Sequence, residues 1–167
     1  MADNLDLVLE RILDAPRELV WRAWTDTDLL KRWFAPRPYE ISEVELELRP
    51  GGIFRIRMIG PDGFDTGHGN AGCMLEVVDG ERLAWTSSLG PGYRPAELAA
   101  EGCESFPMTA IITLTDTDDG KTFYRAVALH ANATDRDAHE KMGFQEGWGT
   151  CADQLEELAG ELARQPA

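Results

Sequence analysis

The stretch Ala15-Pro-Arg-Glu-Leu-Val-Trp-Arg-Ala-Trp-Thr-Asp-Thr-Asp-Leu-Leu-Lys-Arg-Trp33 constrains the fold more than any other part of the chain. It holds two helix starts and three tryptophans, Trp21, Trp24 and Trp33. Pro16 suits the first helical position, where a missing N–H costs nothing, and Glu18 suits the positive end of the helix dipole. Val20, Ala23 and Trp24 follow at helical spacing. Asp26 is a natural cap for a second helix carrying Leu29, Leu30 and Trp33, which the run Ala35-Pro-Arg-Pro38 ends. Helices below roughly 12–15 residues are marginal in water on their own, so both must lie against a larger element.

That element is a sheet, because after Pro38 the apolar period changes from 3.6 to 2. Ile41-Ser-Glu-Val-Glu-Leu-Glu-Leu48 and Ile53-Phe-Arg-Ile-Arg-Met-Ile59 both alternate and flank Arg49-Pro-Gly-Gly52. A three-residue loop at Pro50-Gly51-Gly52 predicts Leu48 opposite Phe54, Leu46 opposite Ile56 and Val44 opposite Met58, with Glu47 facing Arg55 and Glu45 facing Arg57. A two-residue loop would set Leu46 against Arg55 and is rejected. A second hairpin joins Cys73–Val78 to Arg82–Thr86 through Asp79-Gly80, setting Val77 against Leu83 and Leu75 against Trp85. A third joins Met108–Thr115 to Phe123–His130. A two-residue turn at Asp119-Gly120 there puts Met108, Ala110, Ile112, Leu114, Val127 and Leu129 on one face. The other face carries Thr109, Ile111, Thr113, Thr115, Tyr124, Ala126, Ala128 and His130.

Between the second and third hairpins, residues 90–105 are too long and too rich in Gly and Pro for a tight connection, which suits either a lid or a surface loop. The chain closes with a helix capped near Thr134 or Asp135. Phe144, Trp148, Cys151, Leu155, Leu158 and Leu162 form one apolar stripe, and Gly143, Gly147 and Gly149 suggest close approach of this helix to the sheet.

At 167 residues the chain fits one domain, residues 1–167, that buries roughly 70% of its unfolded surface. With 16 basic and 30 acidic residues the net charge is -14, which disfavours nucleic acid and anionic membrane surfaces as partners. Cys73, Cys103 and Cys151 show no framework spacing, and neither a signal peptide nor an apolar span is evident, so a cytoplasmic location is expected.

Several ordered blocks carry a family resemblance: Ala15-Pro-x-x-x-Val-Trp-x-Ala-Trp24 with Leu30-x-x-Trp33, Leu48-Arg-Pro-Gly-Gly52, and Gly143-Phe-x-x-Gly-Trp148 followed by Leu155. Over nearly its whole length the chain resembles the domain named for the activator of Hsp90 ATPase, within the START-like superfamily. Tyr124-x-Ala-x-x-x-His130 and His139-Glu-x-Met-Gly-Phe144 are most similar to small bacterial members. The resemblance implies an α+β helix-grip fold, in which a curved antiparallel sheet wraps a long C-terminal helix, with two short helices after the first strand. It also implies an apolar cavity between helix and sheet. The chain has no room for the additional domain with which the eponymous co-chaperone grips its partner, so a chaperone partner is not favoured.

Function has to be argued from the site. Gly67-His-Gly-Asn-Ala-Gly72 matches a dinucleotide fingerprint by letter, but a strand follows it where a helix is required. His139-Glu140 opens like a zinc-protease helix, yet Gly143 stands where the second histidine would be. Cys73, His68 and His130 show no ligand spacing, so neither metal nor cofactor is expected. Asn132-Ala-Thr134 is a glycosylation sequon by letter only.

The face holding Tyr124, His130, Thr109 and Thr113 is, by the resemblance, the one turned to the cavity. The alternative packs the Val127 and Leu129 face under the helix and leaves Tyr124 and His130 in solvent. The first arrangement would expose Ile112, Leu114, Val127 and Leu129 as a patch suited to a homodimer. Trp33, Phe34, Phe54, Met58, Trp85, Phe106 and Trp148 are the natural apolar lining. The leading expectation is a protein that binds an apolar, aromatic or amphipathic small molecule, with Tyr124 and His130 orienting a polar group of the ligand. The alternatives are a cavity enzyme using His130 with Tyr124 or Glu140 for acid–base chemistry, His139 being a further catalytic candidate early in the last helix, and a co-chaperone-like interaction module.

Overall fold

In the computed structural model, which describes residues 4–67, 71–97 and 106–165, strand β1 (Asp6–Leu13) leads into helices α1 (Arg17–Thr25) and α2 (Thr27–Leu30). Asp26 caps α2 as its chemistry predicts, its carboxylate accepting from the Asp28 and Leu29 N–H groups at 3.0 and 3.2 Å. Pro16 sits one position earlier than expected, as the extended residue preceding α1. Trp33 lies in the turns after α2 rather than on it, 1% exposed, and its indole N–H donates to the Ala23 carbonyl at 2.9 Å.

The strands that follow are β2 (Glu40–Leu46), β3 (Ile53–Ile59), β4 (Gly72–Val78), β5 (Arg82–Thr86), the short pair β6 (Leu89–Gly90) and β7 (Arg94–Pro95), β8 (Met108–Asp116) and β9 (Thr122–His130). All but β6 and β7 form one antiparallel sheet in the order β1-β9-β8-β5-β4-β3-β2. Helices α3 (Ala133–Lys141) and α4 (Phe144–Arg164) complete the chain. The inner face of the sheet and α4 share one core, in which Leu9, Ala126 and Ala128 meet Leu155 and Leu158. This is the α+β helix-grip arrangement.

Three registers differ from expectation. In the first hairpin the faces are right, but the ladder has slid by two residues: Leu46 faces Phe54, Val44 faces Ile56, Glu45 faces Arg55 and Glu43 faces Arg57. The cause lies in the connection from Glu47 to Gly52, whose backbone is recruited by β4. Gly51 N–H donates to the Met74 carbonyl at 2.7 Å and Met74 N–H donates to the Gly52 carbonyl at 2.8 Å. Leu48 is left exposed. In the second hairpin Val77 does face Leu83, but an irregularity between Met74 and Glu76 puts Met74, not Leu75, opposite Trp85.

The third hairpin turns through one residue more than expected. Thr117 N–H donates to the Lys121 carbonyl at 3.0 Å around Gly120, whose φ of +79° favours glycine. The extra residue reverses the phase of β8 against β9, so that Met108 pairs with His130, Ile112 with Ala126 and Leu114 with Tyr124. Tyr124 and His130 therefore share the inner face with Ile112 and Leu114, both buried, and the expected exposed patch does not form around those two. Thr109 and Thr113 lie on the opposite face, where the Thr109 hydroxyl donates to Thr86 Oγ1 at 3.0 Å.

The last helix is interrupted. α3 is capped by Asn132, whose side chain accepts from Asp135 N–H at 2.9 Å, and Gly143, with φ +102°, precedes α4. Of the other two glycines, Gly149 lies against Arg11 of β1: a Cβ there would stand 3.1 Å from Nη2. Gly147 faces open space.

Candidate functional site

Helix α4, the sheet and the neighbouring turns line a partly open pocket of about 590 Å³. Phe54, Ile56 and Met58 enter it from β3 and Trp85 from β5, as strand alternation requires, while Trp33 and Phe34 reach it from the turn after α2. Phe144, Gly147, Trp148 and Cys151 present the helical stripe. The rings form a continuous wall. Phe54 and Trp85 centroids lie 4.8 Å apart, Phe34 stands 6.2 Å from Phe54 and 6.3 Å from both Trp85 and Trp148, and Phe144 lies 5.3 Å from Trp148. Phe64 and Met142, both exposed, also border the pocket.

Its polar groups are few and uncharged. Thr66, Thr86, Ser87, Tyr39, Tyr124 and His139 contribute to the lining, and no Asp, Glu, Lys or Arg does among the described residues. Burial raises the Tyr124 phenol well above its usual range. Burial likewise pushes the Cys151 thiol up to about 12. Both are neutral at any physiological pH.

His130 and His139 form a hydrogen-bonded pair behind and at the wall. His130 Nδ1 lies 2.9 Å from the Leu5 carbonyl, and its Nε2 lies 2.9 Å from His139 Nδ1. Phe106 packs on this pair, its ring centroid 4.5 Å from that of His139 and 5.9 Å from that of His130, and Phe144 approaches His139 at 5.2 Å. Burial, followed by the electrostatic influence of the neighbouring His130, lowers the His139 imidazole to about 4. It is neutral at pH 7.

The structure thus brings Trp33, Phe34, Phe54, Met58, Trp85, Tyr124, His139 and Trp148 to one pocket. It does not bring the rest. His130 is screened from the pocket by His139, and Phe106 supports the histidines rather than the lining. Thr109 and Thr113 are excluded by the reversed phase of β8. Glu140 is exposed on α3 and pairs with Arg136 at 3.0 Å, away from the pocket. His68, Cys103 and residues 98–105 of the long connection lie outside the described residues. Among the described residues no group of three or more His, Cys, Asp or Glu is arranged to hold a metal ion, and no helix is long and apolar enough to cross a membrane.

Some lining residues escaped the sequence reading although it held their signal. Ile56 alternates in phase with Phe54 and Met58, and Phe144 and Cys151 flank Trp148 at helical steps. Tyr39 and Phe64 carry no such signal. They meet through loops, ring centroids 5.1 Å apart.

The sequence model for the activator of Hsp90 ATPase homolog 1-like proteins matches residues 14–160. The chain belongs to this family. Among solved structures of similar fold, protein NE0264 from Nitrosomonas europaea is 45% identical with a TM-score of 0.86, the match covering 99% of this chain and 100% of that one. Protein CV1439 from Chromobacterium violaceum is 26% identical at a TM-score of 0.69, over 92% and 96% of the two chains. An AHSA1-like protein from Aeromonas hydrophila shares the fold at 19% identity and a TM-score of 0.67, over 97% and 96%. No functionally curated protein is similar enough in sequence to count as a relative. Membership in the AHSA1-like family fixes the architecture around the pocket and leaves its occupant to be argued from chemistry.

Proposed function

We propose that this AHSA1-like protein binds a neutral, predominantly apolar or aromatic small molecule between α4 and the sheet. One observation carries the reading: a pocket of about 590 Å³, within the size range of small-molecule sites, is walled by aromatic and aliphatic side chains and has no charged residue in its described lining. An ionised ligand would surrender its hydration there without a counter-charge in return, whereas a neutral ring system loses little and gains contact with Trp33, Phe34, Phe54, Trp85 and Trp148. Thermal unfolding and tryptophan fluorescence, measured with a panel of neutral aromatic and lipid-like compounds beside their carboxylate analogues, test this. Neutral members are expected to raise Tm and alter the emission, and carboxylates are not. A panel without effect, or one in which carboxylates bind better, overturns it.

A second reading, an acid–base enzyme working in the same pocket, is favoured by the histidine pair. Both ring nitrogens of His130 are engaged, so the reacting group in such an enzyme is His139. Loss of turnover with retained binding in His139→Phe, for a substrate found by screening, is its signature.

A further inference from the structure

The backbone carbonyl of Leu5 can only accept a hydrogen bond, so the contact at 2.9 Å requires the proton of His130 on Nδ1. In the neutral ring Nε2 then holds a lone pair. His139 Nδ1, 2.9 Å away, must supply the proton between them. His139 is neutral in its apolar surroundings, so its remaining nitrogen, Nε2, carries a lone pair and no hydrogen. No protein partner satisfies that atom among the described residues. It is also absent from the buried polar atoms lacking a partner, which among the described residues are Trp24 Nε1 and Arg136 Nε, so it reaches accessible space. His139 lines the pocket.

We infer that His139 Nε2 is a fixed hydrogen-bond acceptor of the pocket, selecting ligands that present a neutral donor such as a phenolic or alcoholic hydroxyl, with His130 and the Leu5 carbonyl as its positioning groups. The inference rests on the ligand-binding reading above and narrows it from neutral molecules to neutral donors. The relay accounts for the polarity without help from charge. Phe106 and Phe144 are the other rings against His139. Of the charged side chains of α3, Arg136 pairs with both Asp137 and Glu140, and neither these three nor Asp135 and Lys141 line the pocket. An imidazole in water exchanges between its two tautomers and can present either polarity. The Leu5–His130–His139 chain removes that choice and pre-organises one.

Three matched probes separate the two ideas: naphthalene, 2-methoxynaphthalene, which can only accept, and 2-naphthol, which can donate. All three binding supports the pocket as an apolar site. The inference predicts that 2-naphthol binds roughly three- to tenfold more tightly than the methyl ether, the worth of one neutral hydrogen bond. In His139→Phe that preference disappears while naphthalene still binds, which also shows that the variant folds. His130→Phe is expected to lose the preference as well, keeping its affinity for naphthalene.

Nitrogen-15 NMR of the histidine rings reads the same claim without a ligand. At pH 7.5 His139 is expected to be protonated at Nδ1 and bare at Nε2, and in His130→Phe the proton is expected to redistribute towards Nε2. Equal binding of naphthol and its ether, or a proton on Nε2 of wild-type His139, overturns the acceptor while leaving the apolar pocket standing. Failure of all three probes to bind overturns both.

Discussion

The side-chain amide of Gln154, inside α4, donates to the carbonyls of Trp33 at 2.9 Å and Ala35 at 2.7 Å, and its Oε1 accepts from Arg37 N–H at 3.1 Å. One buried residue therefore satisfies three backbone groups of the turn that carries Trp33 and Phe34 into the pocket. Gln154→Leu preserves bulk and strands all three, each buried unpaired group costing on the order of 1–3 kcal/mol. Denaturant unfolding is expected to show a loss of about 2–4 kcal/mol, since some of these groups will recruit water. Gln154→Glu keeps the acceptor but cannot donate, so it is expected to be nearly as damaging at neutral pH.

Stability is expected to fall with acid through His139. Its folded value lies at about 4 against 6.5 for an unperturbed imidazole. The unfolded chain therefore takes up a proton that the native state refuses as pH drops below 6.5. The contribution is complete above about pH 6.5 and is lost progressively between 6.5 and 4, up to about 3 kcal/mol. Urea midpoints measured at pH 7.5, 6, 5 and 4 should decline in wild type more steeply than in His139→Phe across this interval.

Cys151 is expected to resist alkylation although it borders the pocket. With the thiol pushed up to about 12 from 9.0, the thiolate fraction at pH 8 is about a thousandfold below that of a free cysteine. Iodoacetamide labelling followed by peptide mass spectrometry should leave Cys151 unmodified in the native protein and label it once urea is added. Rapid native labelling at Cys151 would contradict its burial.

Two glycines should respond in opposite directions. A Cβ on Gly147 meets nothing within 4 Å, so Gly147→Ala is expected to stabilise α4 by about 0.5–1 kcal/mol while its methyl narrows the pocket. A Cβ on Gly52 would lie 2.4 Å from the Glu47 carbonyl oxygen, backbone that cannot swing aside. Gly52→Ala is expected to lower Tm by many degrees. Paired thermal melts, with naphthalene titrations for Gly147→Ala, check both.

The element order and the facing of β2 on β3 are legible in the sequence, because two-residue alternation and helix caps are local signals. What is not legible depends on one residue of turn length or on a distant partner. Asp119-Gly120 reads as a two-residue turn, yet Thr117 closes it on Lys121, and that single residue moved Thr109 and Thr113 out of the site and Ile112 and Leu114 into the core. The two-residue slide of β2 traces to Met74, a strand away. The contact of His130 with His139 crosses from β9 to α3 through the corner that Asn132 caps, and nothing in their spacing announces it.

The sheet order has a consequence for how the protein comes into being. β1, which begins at Asp6, has β9 as its one ladder partner among the described residues, the last residues of β9 pairing as Asp6 with Leu129 and Leu7 with Ala128. During synthesis this strand, with Leu7, Leu9 and Leu13, therefore waits until β9 has been made before its ladder can form. Such long-range closure slows folding and leaves an apolar edge open meanwhile. Docking of β1 onto β9 is then the step that covers the β9 edge and buries Leu7, Leu9 and Leu13.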